Sequence, residues 1–494
     1  MNSNKKQALI LSIVAAVTLI ALVVGATFAY FKAQGGTGSS TEVKVTTYTT
    51  DMLTFTTGNA ISLYADQSSF GQEKGSLSGE TFAKATLVVN NKTNEATDNY
   101  YVYFNIENNT FKYTLGEDKP ELILTVTGPD GNEVTKISGL THTTVQDREN
   151  KIISGFDVTK ANGLITIANK KTITATPNAE EQYTLKLTFV NYEGDQTENA
   201  TSTLSAKVMI QKEMIPFHEA CNDNTLACHT AKLYSGTQGE NSIYYHDAEL
   251  TNGAGDNSYR FAGASDQVNN YVCFGSSEAS CPADNLYRII GVFGDKVKLI
   301  KSTSVGYKEW DSNNTNTWST SSLNSYLNNE FINTFDETIK DKIDEITWKV
   351  GGNTSSNIQI QPAQIVYQNE IVSPVTTNTT DNATTYSAKI GLMYVSDYMY
   401  AAPQDKWTLV CWNSDASKDY RVATSVNWIH LGTTEWTISR FANVSNAAFI
   451  VNNTGNLDGN LANYAFAVRP VFYLSSSVAY AEGDGSQSSP IRIN

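Results

Sequence analysis

The chain has 494 residues, 40% hydrophobic and only 17% charged, with a net charge of −15. The apolar fraction suffices for buried cores and speaks against a broadly disordered chain, and the length allows about three domains. The acidic balance speaks against nucleic acid as a partner: phosphate binding needs clustered Lys and Arg, and no basic run exceeds the pairs Lys5-Lys6 and Lys170-Lys171.

The first six residues are polar and carry Lys5 and Lys6; residues 8–24 are uninterruptedly apolar, and Lys32 is the next charge. Charge is costly in hydrocarbon, so this stretch is expected in a membrane, with the lysines cytoplasmic and the rest of the chain outside. Two readings compete. As a signal peptide, Thr27 and Ala29 form a small-x-small site with cleavage after Ala29. As a retained single-pass anchor, residues 8–31 are long enough to span with tilt. Residues 32–41, with Gly35, Gly36, Gly38, Ser39 and Ser40, read as a flexible linker. The stretch Val24-Gly25-Ala26-Thr27-Phe28-Ala29-Tyr30-Phe31 resembles the signal-peptide end of the TasA/camelysin group of Gram-positive proteins. That resemblance implies export, processing by a dedicated signal peptidase and, for several members, extracellular fibres built from a β-sandwich.

Residues 42–215 read as strands. Period-2 alternation with β-branched and aromatic side chains runs through 42–50, 82–89, 100–106, 121–127, 164–168, 172–176, 183–190 and 203–211. Pro129-Asp130-Gly131 is a turn, because Pro fixes φ and Gly accepts a positive one. Strands of this number and spacing predict an antiparallel, immunoglobulin-like sandwich, with no cysteine to bridge its sheets. Pro216 is expected to end the last strand.

Cysteine usage then changes. All five cysteines follow residue 220: Cys221 and Cys228 in a linker over 216–240, and Cys273, Cys281 and Cys411 in a module over 241–494. In an exported chain the two close pairs predict disulfides, Cys221 with Cys228 and Cys273 with Cys281. Zinc at Cys228 and His229 is the rival reading, but the spacing is not that of a zinc knuckle. Cys411 is left over in the apolar, strand-like run Trp407-Thr408-Leu409-Val410-Cys411-Trp412 and reads as a buried thiol. Residues 286–293 and 296–301 form a hairpin turned at Gly294-Asp295. Thr320 or Ser321 caps a helix whose inner stripe is Leu323, Tyr326, Leu327, Phe331 and Phe335, and Asp336 caps a second with Ile339 and Ile343. Beyond these, short strands wrapped by long loops are expected.

The module's motifs are Asn257-Ser258-Tyr259-Arg260-Phe261-Ala262-Gly263, Asn270-Tyr271-Val272-Cys273-Phe274-Gly275, Tyr287-Arg288-Ile289-Ile290-Gly291-Val292-Phe293, Tyr326-Leu327-Asn328 and Val468-Arg469-Pro470-Val471. Across 240–494 they resemble DUF6273, a module of unknown function in exported proteins of gut Firmicutes. The Val-Arg-Pro-Val ending is similar to the close of modules with the C-type-lectin or formylglycine-generating-enzyme-like fold. The fold class expected for the whole is therefore mainly β: a membrane helix, an immunoglobulin-like sandwich and an α+β C-type-lectin-like module.

The five histidines, His142, His218, His229, His246 and His430, fall into no metalloprotease, nucleophile-elbow or phosphate-loop motif. Formylglycine-generating enzymes use paired cysteines, and Cys411 has no such neighbour. A Cys411/His430/Asp set carries no signature spacing. Asp256, Asp266, Asp284 and Asp458 are loop acids that calcium could use, without EF-hand spacing. Sugar recognition fits the composition better, because it uses aromatic faces and a few planar polar groups in a concave site. The candidates are Trp428, Trp436, Asn452, Asn453 and Asp458, with Asn427 beside them. The expected reading is a non-catalytic cell-surface or matrix protein, with surface components, glycans among them, as partners. A self-assembling fibre subunit and a modifying enzyme are the alternatives.

Overall fold

Alternation of large apolar and small polar side chains builds the first half of the molecule. The computed structural model describes residues 52–65, 75–89, 95–137, 139–221, 224–353, 360–374 and 383–494. The expected membrane segment, the cleavage after Ala29, the linker over 32–41 and the strand over 42–50 lie outside these residues. Among the described residues no helix is long and apolar enough to cross a membrane. Secondary structure is mainly β, in several sheets. The chain divides into two units, Met1–Ile215 with Ala220–Asp223, and Pro216–Glu219 with Asn224–Asn494.

The described strands of the first unit are β1 (Met52–Thr57), β2 (Ile61–Tyr64), β3 (Leu77–Val88), β4 (Ala96–Asn109), β5 (Leu122–Thr127), β6 (His142–Gln146), β7 (Ile152–Asp157), β8 (Gly163–Ala175), β9 (Asn178–Phe189) and β10 (Thr203–Gln211). They form two antiparallel sheets in the orders β1-β3-β9-β5-β7-β6 and β2-β10-β4-β8. Along β3 the buried positions are Thr81, Ala83, Ala85 and Leu87, two apart, as the pleat requires. Ala83 stands opposite Tyr183 of β9, a small residue facing a large one. Leu87, Leu124, Phe156, Leu185 and Leu187 of the first sheet share one core with Val102, Phe104, Ile106, Leu204 and Val208 of the second. Each such side chain stabilises the sandwich by about 1.5–3 kcal/mol on burial.

Residues 164–168 and 172–176, read as two strands, are mostly one. Within β8 the pairing with β4 slips between Tyr100 and Val102, and Lys170 takes a left-handed φ of 49°. The bulge turns Lys170 outward, so the charge pair interrupts the pattern without ending the strand.

The second unit is built on a seven-stranded sheet and a five-stranded sheet. The seven-stranded sheet runs Ile243–His246, Ser258–Phe261, Leu286–Phe293, Lys296–Lys301, Val471–Tyr473 and Ile390–Gly391, with Tyr271–Cys273 also pairing with Leu286–Phe293. The hairpin turned at Gly294-Asp295 is present, with Gly294 at φ 65°. Gly291 is required by packing: a Cβ there would lie 2.2 Å from the Tyr259 carbonyl oxygen. The five-stranded sheet runs Tyr307–Glu309, Ala465–Ala467, Glu435–Arg440, Ala447–Val451 and Leu457–Leu461.

Ser321 caps the expected helix by accepting from Asn324 N at 3.1 Å. Its α-turn, Ser322–Ser325, passes into a π turn, Tyr326–Phe331, and buries Leu323, Leu327 and Phe331. Asp336 accepts from Ile339 N at 3.0 Å and caps Glu337–Lys340. Cys273 and Cys281 form a disulfide, and Cys221 and Cys228 are both disulfide-bonded, which removes their thiolates from the zinc reading. His229 stacks on Tyr480, 3.7 Å between ring centroids. The strand-like run after Trp407 is instead a series of turns: Trp407 N donates to the Gln404 carbonyl at 3.2 Å and Leu409 N to the Lys406 carbonyl at 2.9 Å.

Candidate ligand-binding surface

The strand Tyr307–Glu309 is an edge of the five-stranded sheet and, among the described residues, pairs only with Ala465–Ala467. Its register sets Lys308 opposite Phe466, so both project from one face. Tyr464, two residues before Phe466, lies on the same side, and the two rings are stacked 6.3 Å apart at 14°. Phe466 in turn meets Trp436 edge-on at 4.9 Å. Trp436 is buried and its indole N–H donates to the Lys308 carbonyl at 3.0 Å. The Lys308 ammonium lies 3.7 Å from the centroid of the Tyr326 ring. Tyr464 is 52% exposed, Phe466 and Tyr326 are half-buried, and Glu330 is exposed beside Tyr326. Partial burial, and then the Glu330 charge, push the Tyr326 phenol above its ordinary pKa.

The result is a strip of aromatic faces, anchored from below by Trp436 and carrying one cation. Aromatic faces of this kind accept the C–H side of a ring ligand, while the ammonium donates to oxygens. At the other side of the edge strand, the Tyr307 hydroxyl lies 3.1 Å from Thr433 Oγ1, and Asn453 N donates to Thr434 Oγ1 at 3.3 Å.

The sequence-predicted contacts do not form one site. Trp428 is 3% exposed, donates to the Phe261 carbonyl at 2.8 Å and packs under the Arg288 guanidinium at 4.6 Å. Trp436 is equally out of a ligand's reach. Both are core, because an indole offers a large apolar body and its N–H finds a buried carbonyl. Asn427 is buried and donates to the Tyr398 carbonyl at 2.8 Å. Asn452 is half-buried and Asn453 exposed. Asp458 is exposed on Leu457–Leu461, the edge strand opposite Tyr307–Glu309. What composition did not single out is Tyr464 with Phe466. The alternation in Asn463-Tyr464-Ala465-Phe466-Ala467, large beside small, is the signal that puts both rings on one face.

The chemistry imagined for Cys411 is also rearranged. Its thiol is buried, 3.8 Å from Met399 Sδ, and burial pushes its pKa well above the ordinary value. His430 turns to Tyr398, with Nδ1 3.3 Å from the hydroxyl, and burial followed by the Arg469 charge lowers its pKa. The four calcium candidates are not brought together. Asp256 is bound to Arg260 at 2.6 Å, while Asp266, Asp284 and Asp458 are separate and exposed; among the described residues no three metal-ligating side chains cluster. A second concavity, about 480 Å³, is lined by Asp336, Lys342, Glu482 and Arg492. Its guanidinium is already engaged, donating to the carbonyls of Ser276 at 3.0 Å and Ala279 at 3.1 Å across the disulfide loop.

No curated protein and no solved structure matches the chain. Residues 294–476 match a family described as a domain of unknown function, DUF6273. The match starts at the hairpin turn, lies within the C-terminal unit and takes in Lys308, Tyr326, Trp436 and Phe466, but leaves out the motifs expected over 257–263, 270–275 and 287–293.

Proposed function

We propose that the C-terminal unit recognises a ligand, with glycans as its chemical class, on the strip formed by Tyr464, Phe466, Lys308 and Tyr326. The observation that carries this reading is the graded exposure of stacked rings: buried Trp436, half-buried Phe466, exposed Tyr464. A ring stack with one wet end is costly to leave in water unless something covers it. In this reading the protein acts outside the cytoplasm, at a cell surface or in a matrix, and uses no covalent catalysis on its ligand. The disulfides support that compartment, since reducing cytosol disfavours them. The sandwich is taken as an immunoglobulin-like stalk and the C-terminal unit as a C-type-lectin-like head. The reading as a modifying enzyme draws no support from Cys411, whose thiol is inaccessible and held protonated.

A glycan array probed with the full chain tests this. Binding to a defined set of host or bacterial glycans, abolished by Tyr464→Ala with Phe466→Ala, is the expected result. Silence across both glycan sets, or unchanged binding by the double variant, overturns it.

A further inference from the structure

Beneath the seven-stranded sheet's inner face lies a line of ionisable groups that the surface strip does not use: Asp256, Arg260, Lys298, Glu370 and Asp397. Lys298 sits on Lys296–Lys301 and Asp397 on the short helix Val395–Tyr400. Their side chains are 1% and 2% exposed, and Nζ lies 2.5 Å from Asp397 Oδ2. Around the amine are the rings of Tyr394, Phe293, Tyr473 and Trp348, with centroids 4.6–5.9 Å away. Asp397 Oδ2 also accepts from Tyr394 N at 2.8 Å, and Arg260 Nη1 is 3.7 Å from Oδ1. Arg260 is itself neutralised by Asp256 at 2.6 Å. The remaining carboxyl, Glu370, accepts from the backbone N–H of Ser396, next to Asp397, at 2.7 Å and from Ser439 Oγ at 2.6 Å.

We propose that Lys298 and Asp397 are joined by an intramolecular isopeptide bond, with Glu370 carrying the proton that must leave the amine. Sharing a proton within the ion pair gives a neutral amine and a carboxylic acid. The shared proton ends on Oδ2, so when the Nζ lone pair adds to Asp397 Cγ charge develops on Oδ1, which faces Arg260 Nη1 at 3.7 Å. A second proton passes from Nζ through Glu370 to Oδ2; the Cγ–Oδ2 bond breaks and one water leaves. No oxidant or cofactor enters, and atoms balance as amine plus acid giving amide plus water.

Three features favour the step. Burial lowers the Lys298 pKa, which frees the nucleophilic lone pair. Burial raises Glu370 to about 7, so it both gives and takes a proton near neutrality. The Lys298 amine feels the charges of Asp397 and Glu370, and Glu370 that of Asp397. The charges also close: condensation turns a desolvated ion pair into a neutral amide and leaves Arg260 and Asp256 paired. Removing two buried charges in this way lifts a desolvation cost that the pair's attraction only partly offsets.

Denatured intact-mass measurement of the purified full chain tests the proposal, followed by proteolysis and sequencing. The expected mass is one water below that calculated with both disulfides closed, with a branched peptide joining the segments of Lys298 and Asp397. Lys298→Arg and Glu370→Gln are expected to restore the full mass. A wild-type chain at full mass, or tryptic cleavage after Lys298 in all of it, overturns the bond without any variant having to fold. Bond formation in Glu370→Gln overturns the role given to that carboxyl.

Discussion

The two units differ in how far they rely on ion pairs to bury carboxylates. In the sandwich, Glu121 is fully buried and answered by neutral donors: Thr114 N at 2.7 Å, Gln196 Nε2 at 2.8 Å and Asn199 Nδ2 at 2.6 Å. In the C-terminal unit Glu370 is also held by neutral donors, but other buried acids face cations. Glu435 and Arg469, 1% and 4% exposed, form a two-pronged pair at 2.7 and 2.8 Å, and Asp397 faces Lys298. Neutral donors hold a charge by many short dipoles, and losing one leaves the others in place. An ion pair concentrates the same task in one partner, whose loss strands a charge in low dielectric. The sandwich is therefore the more forgiving of the two, and the C-terminal unit depends more on single residues and on pH.

The sharpest way to break that contrast is Arg469→Ala. It strands Glu435 and should cost about 3–5 kcal/mol. Denaturant unfolding followed by tryptophan fluorescence reads it directly, because all seven tryptophans lie after residue 300. An effect below that of an ordinary surface substitution would contradict the contrast.

Next comes pH. Burial holds Glu370 at about 7 in the folded state, against 4.5 for the free side chain. Between those values the unfolded chain has released its proton and the folded chain has not. This group's contribution is thus fully present below about pH 4.5 and is lost as pH rises through about 7, by about 3 kcal/mol. The difference in unfolding free energy between Lys298→Arg with and without Glu370→Gln, measured from pH 4 to 8, isolates it from the histidines and from the proposed bond, and a flat difference would remove it. Smaller again is Glu121→Gln in the sandwich. It keeps an acceptor and strands no charge, so about 1–3 kcal/mol is expected by circular dichroism; a loss equal to that of Arg469→Ala would erase the distinction between the units.

These differences also explain what could be read in advance. Strands β3, β4, β5, β9 and β10 are legible because their alternation is regular. β6 and β7 are not: His142-Thr143-Thr144-Val145-Gln146 is almost wholly polar, and Gly155 interrupts the other. In the C-terminal unit the hairpin and both helix caps are legible, since each depends on neighbours in sequence. The buried charges are not. Lys298 and Arg260 look like ordinary strand cations, and their partners Asp397 and Asp256 come from distant or irregular segments. The site failed in the same way: Trp428 and Trp436 were the conspicuous rings, and size is what buried them. Tyr464 and Phe466 were set on one surface by a pairing with Lys308 across more than 150 residues of chain, which no local pattern records.

The account rests on that strip being the working face of the molecule. Titrating a glycan taken from the array hits against wild type, Tyr464→Ala and Tyr64→Ala compares it with an equally exposed tyrosine of the sandwich, 56% against 52%. The account predicts affinity reduced at least about tenfold, roughly 1.4 kcal/mol, in Tyr464→Ala and unchanged in Tyr64→Ala. Equal affinity in all three proteins would contradict it.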